Sequence, residues 1–77
     1  MKINKINDTM IDVNDGLNIM GWVLVDNDTW VKYYAYINKN SYRIKDGVWT
    51  KRGRGKTKND DMDILRNMEI FFRNNLK

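Results

Sequence analysis

Asp46-Gly47 lies between two runs of strand-forming residues, 41–45 and 48–52, and constrains the chain more than any other feature. An Asp-Gly pair accepts the positive φ angles of a two-residue hairpin turn, whose twist matches that of the flanking strands. The turn also sets a register: Ile44 opposite Trp49, Tyr42 opposite Lys51, and Arg43 opposite Thr50. Three further polar stretches have turn chemistry: Asn14-Asp15-Gly16, Asp26-Asn27-Asp28-Thr29 and Asn38-Lys39-Asn40. They delimit strands at 9–13, 17–25 and 30–37, the last rich in aromatic and β-branched residues, with a short edge strand at 2–6.

Helical periodicity begins only after Asn59. Leu65, Met68, Phe72 and Leu76 recur at spacings of three and four, and Ile64 and Phe71 widen the stripe. Asn59 or Asp60 can cap this helix. Asp60, Asp61 and Asp63 suit its N-terminal dipole, and Arg73 and Lys77 suit its C-terminal end. Strands followed by one helix give the α+β class. The expected fold is an antiparallel meander of four to five strands and one C-terminal amphipathic helix packed on one sheet face.

Hairpin pairing divides the strand residues between two faces. One collects Leu17, Ile19, Val23, Val25, Trp30, Tyr34, Tyr36, Tyr42, Ile44 and Trp49. The other collects Ile11, Val13, Met20, Trp22, Leu24, Val31, Tyr33, Ala35 and Ile37, then turns basic at Arg43, Lys45 and Arg52. The helix is assigned to the first face, whose only charges are Asp12, Lys32 and Lys51. The second would then be a large apolar patch with a basic margin: a partner site, a dimer interface or the inside of a curled sheet. A slip of one residue in register would reshuffle both sets.

Seventy-seven residues make one domain, spanning 1–77, with a thin core. Without cysteine or histidine, neither a disulfide framework nor an ordinary zinc site can support it, so aromatic packing or oligomerisation must. No apolar run approaches the ~20 residues of a membrane span, and the N-terminus lacks the apolar core of a signal peptide. A cytoplasmic location follows as the expectation. General acid–base and nucleophilic catalysis have little to draw on, since Glu69 stands alone and no cysteine can act as nucleophile. No enzyme, cofactor or metal is expected.

Charge is distributed unevenly. Residues 1–30 carry two Lys against five Asp, residues 31–58 nine Lys/Arg against Asp46, and residues 59–77 three basic groups against four acidic. The central +8 block is the footprint expected for a polyanion partner. It is densest at 51–58, which holds five of the 14 basic residues and no acid. There Arg52-Gly53-Arg54 resembles the Arg-Gly-Arg core of an AT-hook, with Gly55 where that family has proline. The resemblance implies arginines inserted into a narrow A·T minor groove. Gly55-Lys56-Thr57 matches the end of a P-loop, but Thr50 stands where its first glycine is needed. Asn59, Asp61 and Asp63 alternate like calcium-loop ligands, but Ile64 and Ile70 occupy the required Gly and Glu positions.

The outline of sheet plus helix resembles the three-stranded DNA-binding domains of AP2 type and some integrase arm-binding domains, whose diagnostic motifs are absent here. The expected function is a small non-catalytic nucleic-acid-binding accessory protein. Lys51, Arg52, Arg54, Lys56 and Lys58 would contact phosphate, with Arg43, Lys45, Trp22 and Tyr33 on the adjacent sheet face. The alternative is an inhibitor of the anti-defence or anti-CRISPR kind that binds a host protein or nucleoprotein. Abundant Asn, Lys and Ile without Pro, a style of AT-rich phages and mobile elements, fits that alternative. Homodimerisation through the uncovered sheet face is compatible with either.

Overall fold

A computed structural model describes residues 1–76; Lys77, expected near the helix C-terminus, lies outside the described residues. Six strands run in chain order: β1 (Lys2–Asn7), β2 (Met10–Asn14), β3 (Ile19–Val25), β4 (Thr29–Ile37), β5 (Asn40–Lys45) and β6 (Val48–Lys51). They form one antiparallel sheet ordered β1-β2-β3-β4-β5-β6, and α1 (Asn59–Asn75) follows. The α+β meander is as expected, with six strands in place of four to five.

The β5–β6 hairpin has the expected register, Ile44 opposite Trp49 and Tyr42 opposite Lys51, across Asp46 (φ 53) and Gly47 (φ 80). The turn before it differs. Asn38 (φ 49) and Lys39 (φ 68) both adopt left-handed conformations and make a two-residue turn, so Asn40 joins β5 opposite Ile37 and Ala35 faces Tyr42. A second adjustment lies between β3 and β4, where the register shifts between Gly21 and Trp22 and leaves Tyr33 as the extra residue of a bulge.

These two adjustments decide which face is apolar. Ile11, Val13, Met20, Trp22, Ala35, Ile37, Tyr42 and Trp49 are all buried, and Trp30 and Ile44 pack against them. The helix covers this face and not the other, because the two-residue turn brings Tyr42, Ile44 and Trp49 behind Ala35 and Ile37. The face assignment made from the sequence is therefore reversed for β2, β3 and the end of β4, while Trp30, Tyr42, Ile44 and Trp49 lie under the helix as expected. Leu65, Met68 and Phe72 complete the core from the helix side. Phe72 stacks on Trp22 with ring centroids 3.9 Å apart and meets Trp30 edge-on at 6.4 Å. Burial of each such side chain is worth about 1.5–3 kcal/mol.

Polar contacts set the helix position. Asp61 is buried at 1% exposure and accepts hydrogen bonds from Asn38 Nδ2 (2.8 Å), Asn40 Nδ2 (3.1 Å) and the Tyr42 hydroxyl. Glu69 pairs with Lys32 of β4 at the other end of the contact. The expected Asn59 or Asp60 cap does not form. Both residues are already helical, and Lys58 at the cap position offers no side-chain acceptor. The β2–β3 loop claims Leu17 and Asn18 from the expected strand. Asp15 Oδ1 accepts from both of their amides at 2.9 and 2.8 Å, and buried Asn18 accepts the Asn38 amide at 2.9 Å.

Candidate functional site

The sheet face away from the helix is organised by the alternation of strand side chains. Cross-strand pairing produces a row of Asn4, Asp12, Gly21, Tyr34, Arg43 and Thr50, and beside it a row of Lys2, Asn14, Ile19, Tyr36 and Ser41. The Arg52 amide donates to the Ser41 carbonyl at 2.8 Å, which extends the second row to Arg52. Tyr33, Tyr34, Tyr36, Ser41, Arg43 and Arg52 line an open cleft of about 570 Å³.

Gly21 shapes this cleft. A Cβ at position 21 would fall 2.0 Å from Tyr34 Cε1, so the missing side chain is what lets the Tyr34 ring lie against the β3 backbone. Tyr33, turned out by the bulge, meets Tyr34 edge-on with centroids 4.8 Å apart and planes at 61°. Burial first and the Asp12 carboxylate second push the Tyr33 phenol upward. Burial, the Tyr33 neighbour and Asp12 do the same to Tyr34, so both remain neutral donors. Tyr36, 43% exposed, presents a free ring to solvent.

The residues singled out from the sequence separate into five groups. Arg43, Lys45 and Arg52 are exposed on the uncovered face, as expected. Arg54, Lys56 and Lys58 are exposed along the connection from β6 to the helix. Among the described residues, ion pairs within 4 Å join only Lys5 to Asp8, Lys32 to Glu69 and Arg66 to Asp63, so all six of these cations are unpaired. Lys51 is engaged, since its ammonium donates to the Arg54 carbonyl at 2.7 Å and closes the loop. Trp22 does not belong to the surface. It is a core residue stacked on Phe72, because the helix covers the face that carries it.

Tyr33 lines the cleft, but the more prominent aromatics there, Tyr34 and Tyr36, had been assigned to the covered face. The signals for them were the Asn-Lys turn, in which Asn readily takes positive φ, and a glycine opposite a tyrosine. The AT-hook resemblance does not extend to conformation. Gly53 (φ 90) and Gly55 (φ 95) curl the loop where a groove-following segment would be extended. Among the described residues no three His, Cys, Asp or Glu side chains group in a way that could hold a metal ion. Among the described residues no helix is long and apolar enough to cross a membrane.

No protein-family model matches the chain, and no curated protein or solved structure is significantly similar to it.

Proposed function

We propose that this protein is a small, non-catalytic nucleic-acid-binding module of the cytoplasm that uses the uncovered sheet face and the adjoining basic loop as one surface. The observation that carries the reading is the continuity of six unpaired cations around one edge of the sheet. Arg43, Lys45 and Arg52 stand on the open face, and Arg54, Lys56 and Lys58 follow along the connection. Cations left without carboxylate partners carry the electrostatic cost of crowding, which phosphate would relieve with release of counterions. Exposed tyrosine beside arginine adds the stacking and hydrogen-bonding groups that nucleic-acid surfaces use. The experiment is fluorescence anisotropy with labelled DNA and RNA at two salt concentrations, on wild type and a variant with Arg52, Arg54 and Lys56 changed to Glu. Salt-sensitive binding lost in the variant supports the reading, and no binding by the wild type at low salt rejects it.

A second reading, an inhibitor that docks on a host protein or nucleoprotein, draws on the other end of the same face. Val25 and Val31 are 37% and 41% exposed there, next to Val23. A host protein that copurifies through nuclease treatment would favour this reading. Homodimerisation through the open face loses the broad apolar surface argued for it, since that surface lies beneath the helix. Sedimentation of a strict monomer would remove it.

A further inference from the structure

We infer that the open-face cleft takes single-stranded nucleic acid, with bases stacked on Tyr36 and Tyr34 and one sugar-phosphate strand passing Arg43 and Arg52. The inference rests on the nucleic-acid reading above and narrows it to a substrate class. Three observations carry it.

The first is what the central strands offer. On the open face β3 presents Ile19, Gly21, Val23 and Val25, and β4 presents Thr29, Val31, Tyr34 and Tyr36. No Arg, Lys, Asn or Gln stands there to reach the base edges in a duplex groove, which is how sheet residues would read one. Ring faces are what is available, and a ring face engages a base only when the base is free of its own stack.

The second is the one-sidedness of the charge. The cations nearest the tyrosines lie on the β5–β6 side, at Arg43, Lys45 and Arg52, whereas the β2 side carries Asp12 and Asn14, with Lys2 beyond them on β1 at the sheet edge. A duplex groove presents two rows of phosphates, about 12 Å apart across the major groove. If one row met the arginines, the other would approach the Asp12 side. A single strand has one row, and it matches the cluster of three cations beside the tyrosines.

The third is preorganisation. Tyr34 is seated over Gly21 and buttressed by Tyr33, so its ring is fixed before any ligand arrives. Tyr36 follows two residues along the strand, about 7 Å further on, where it can address a neighbouring base. Arg43 is directly opposite Tyr34, and Arg52 continues the row of Tyr36 and Ser41, so each ring has a guanidinium on its strand-neighbour side.

The test compares labelled strands of roughly twelve nucleotides, within the span that such sheet surfaces cover. The probes are oligothymidine, oligouridine, a mixed-sequence strand, its duplex, and an abasic strand that keeps the phosphates. Tyr36 is exposed, so Tyr36→Ala should keep the fold, which a thermal melt verifies. The expected result is single-strand binding at least tenfold tighter than duplex binding, and a roughly tenfold loss for Tyr36→Ala on base-bearing strands. Tyr36→Phe should restore that affinity, and the abasic strand should bind wild type as weakly as base-bearing strands bind Tyr36→Ala. The two homopolymers distinguish DNA from RNA as the source of the strand. Duplex binding as tight as single-strand binding, or full affinity in Tyr36→Ala, overturns the inference. Loss of that binding in Arg52→Glu would then leave the broader nucleic-acid reading standing. Failure of every probe to bind at low salt overturns both.

Discussion

Asp61 shows how one side chain can hold a helix to a sheet. Burial works to raise its pKa, but the hydrogen bonds from Tyr42, Asn38 and Asn40, with the Lys58 charge nearby, outweigh burial and leave the carboxyl below its ordinary value. A carboxylate lowered on folding stabilises the fold above the unfolded value of 3.8 and loses that contribution as pH falls through the folded value. Acid unfolding should therefore steepen below about pH 4, and Asp61→Asn should flatten that limb. Because the amide also replaces one of the two accepting oxygens with a donor, the variant should lose roughly 2–3 kcal/mol at neutral pH, measured by denaturant titration. Tyr42 is pushed up to about 12, by burial first and then by its bond to Asp61. Its contribution is complete below the unfolded value of 10 and disappears as pH rises towards 12. Tyr42→Phe should remove that part of the alkaline transition. At Gly21 the expectation is steric: Gly21→Ala must displace the Tyr34 ring, at a cost of about 1–3 kcal/mol in a melt.

At the scale of elements, α1 was readable as a helix from its three-and-four spacing, and the Asp-Gly hairpin was readable to the residue. Turn chemistry is local, and an apolar stripe is a property of the segment that bears it. The face the helix covers was not readable, because two local events decide it together: the two-residue Asn38-Lys39 turn and the bulge at Tyr33. Each moves side chains by one position, and in a strand one position is a change of face. Trp22 and Tyr36 exchanged roles for that reason. Asp61 was read as a helix-dipole acid, because nothing near it in sequence reveals that Asn38, Asn40 and Tyr42 converge on it. Within the helix contact, Phe72 stacks on Trp22 and meets Trp30 edge-on. Phe72→Ala should cost about 3–5 kcal/mol, a large share of the roughly 4–12 kcal/mol expected for a domain of this length. Ile70→Ala, on the exposed side of the same helix, should stay within about 0.5 kcal/mol in the same denaturant titration.

The whole molecule is a two-layer sandwich with unequal surfaces: helix over the apolar face, and an open face that grades from valines at the β3–β4 turn to tyrosines and arginines at the far end. That gradient sets the expected solution behaviour. With about four phosphate contacts from Arg43, Lys45, Arg52 and Arg54, log affinity for a single strand should fall against log salt with a slope of about −2.8. Charge reversal at Arg52 should flatten the slope, whereas Tyr36→Ala should lower affinity at every salt concentration and leave the slope unchanged. Parallel titrations of the two variants separate the electrostatic part of the surface from the stacking part.

What the sequence determined by itself was everything carried by short-range order. This comprises the class of the fold, the location of four of the turns that delimit its strands, the helix, and the concentration of cations at 51–58. What only the tertiary structure decided was which residues share a surface. Strand faces depend on register summed across five consecutive pairings, and each added or skipped residue inverts everything beyond it. The basic residues stayed exposed under either register, because charge without a partner stays in water. The aromatics followed the register, and it placed Tyr34 and Tyr36 on the open face and the tryptophans, with Tyr42, beneath the helix.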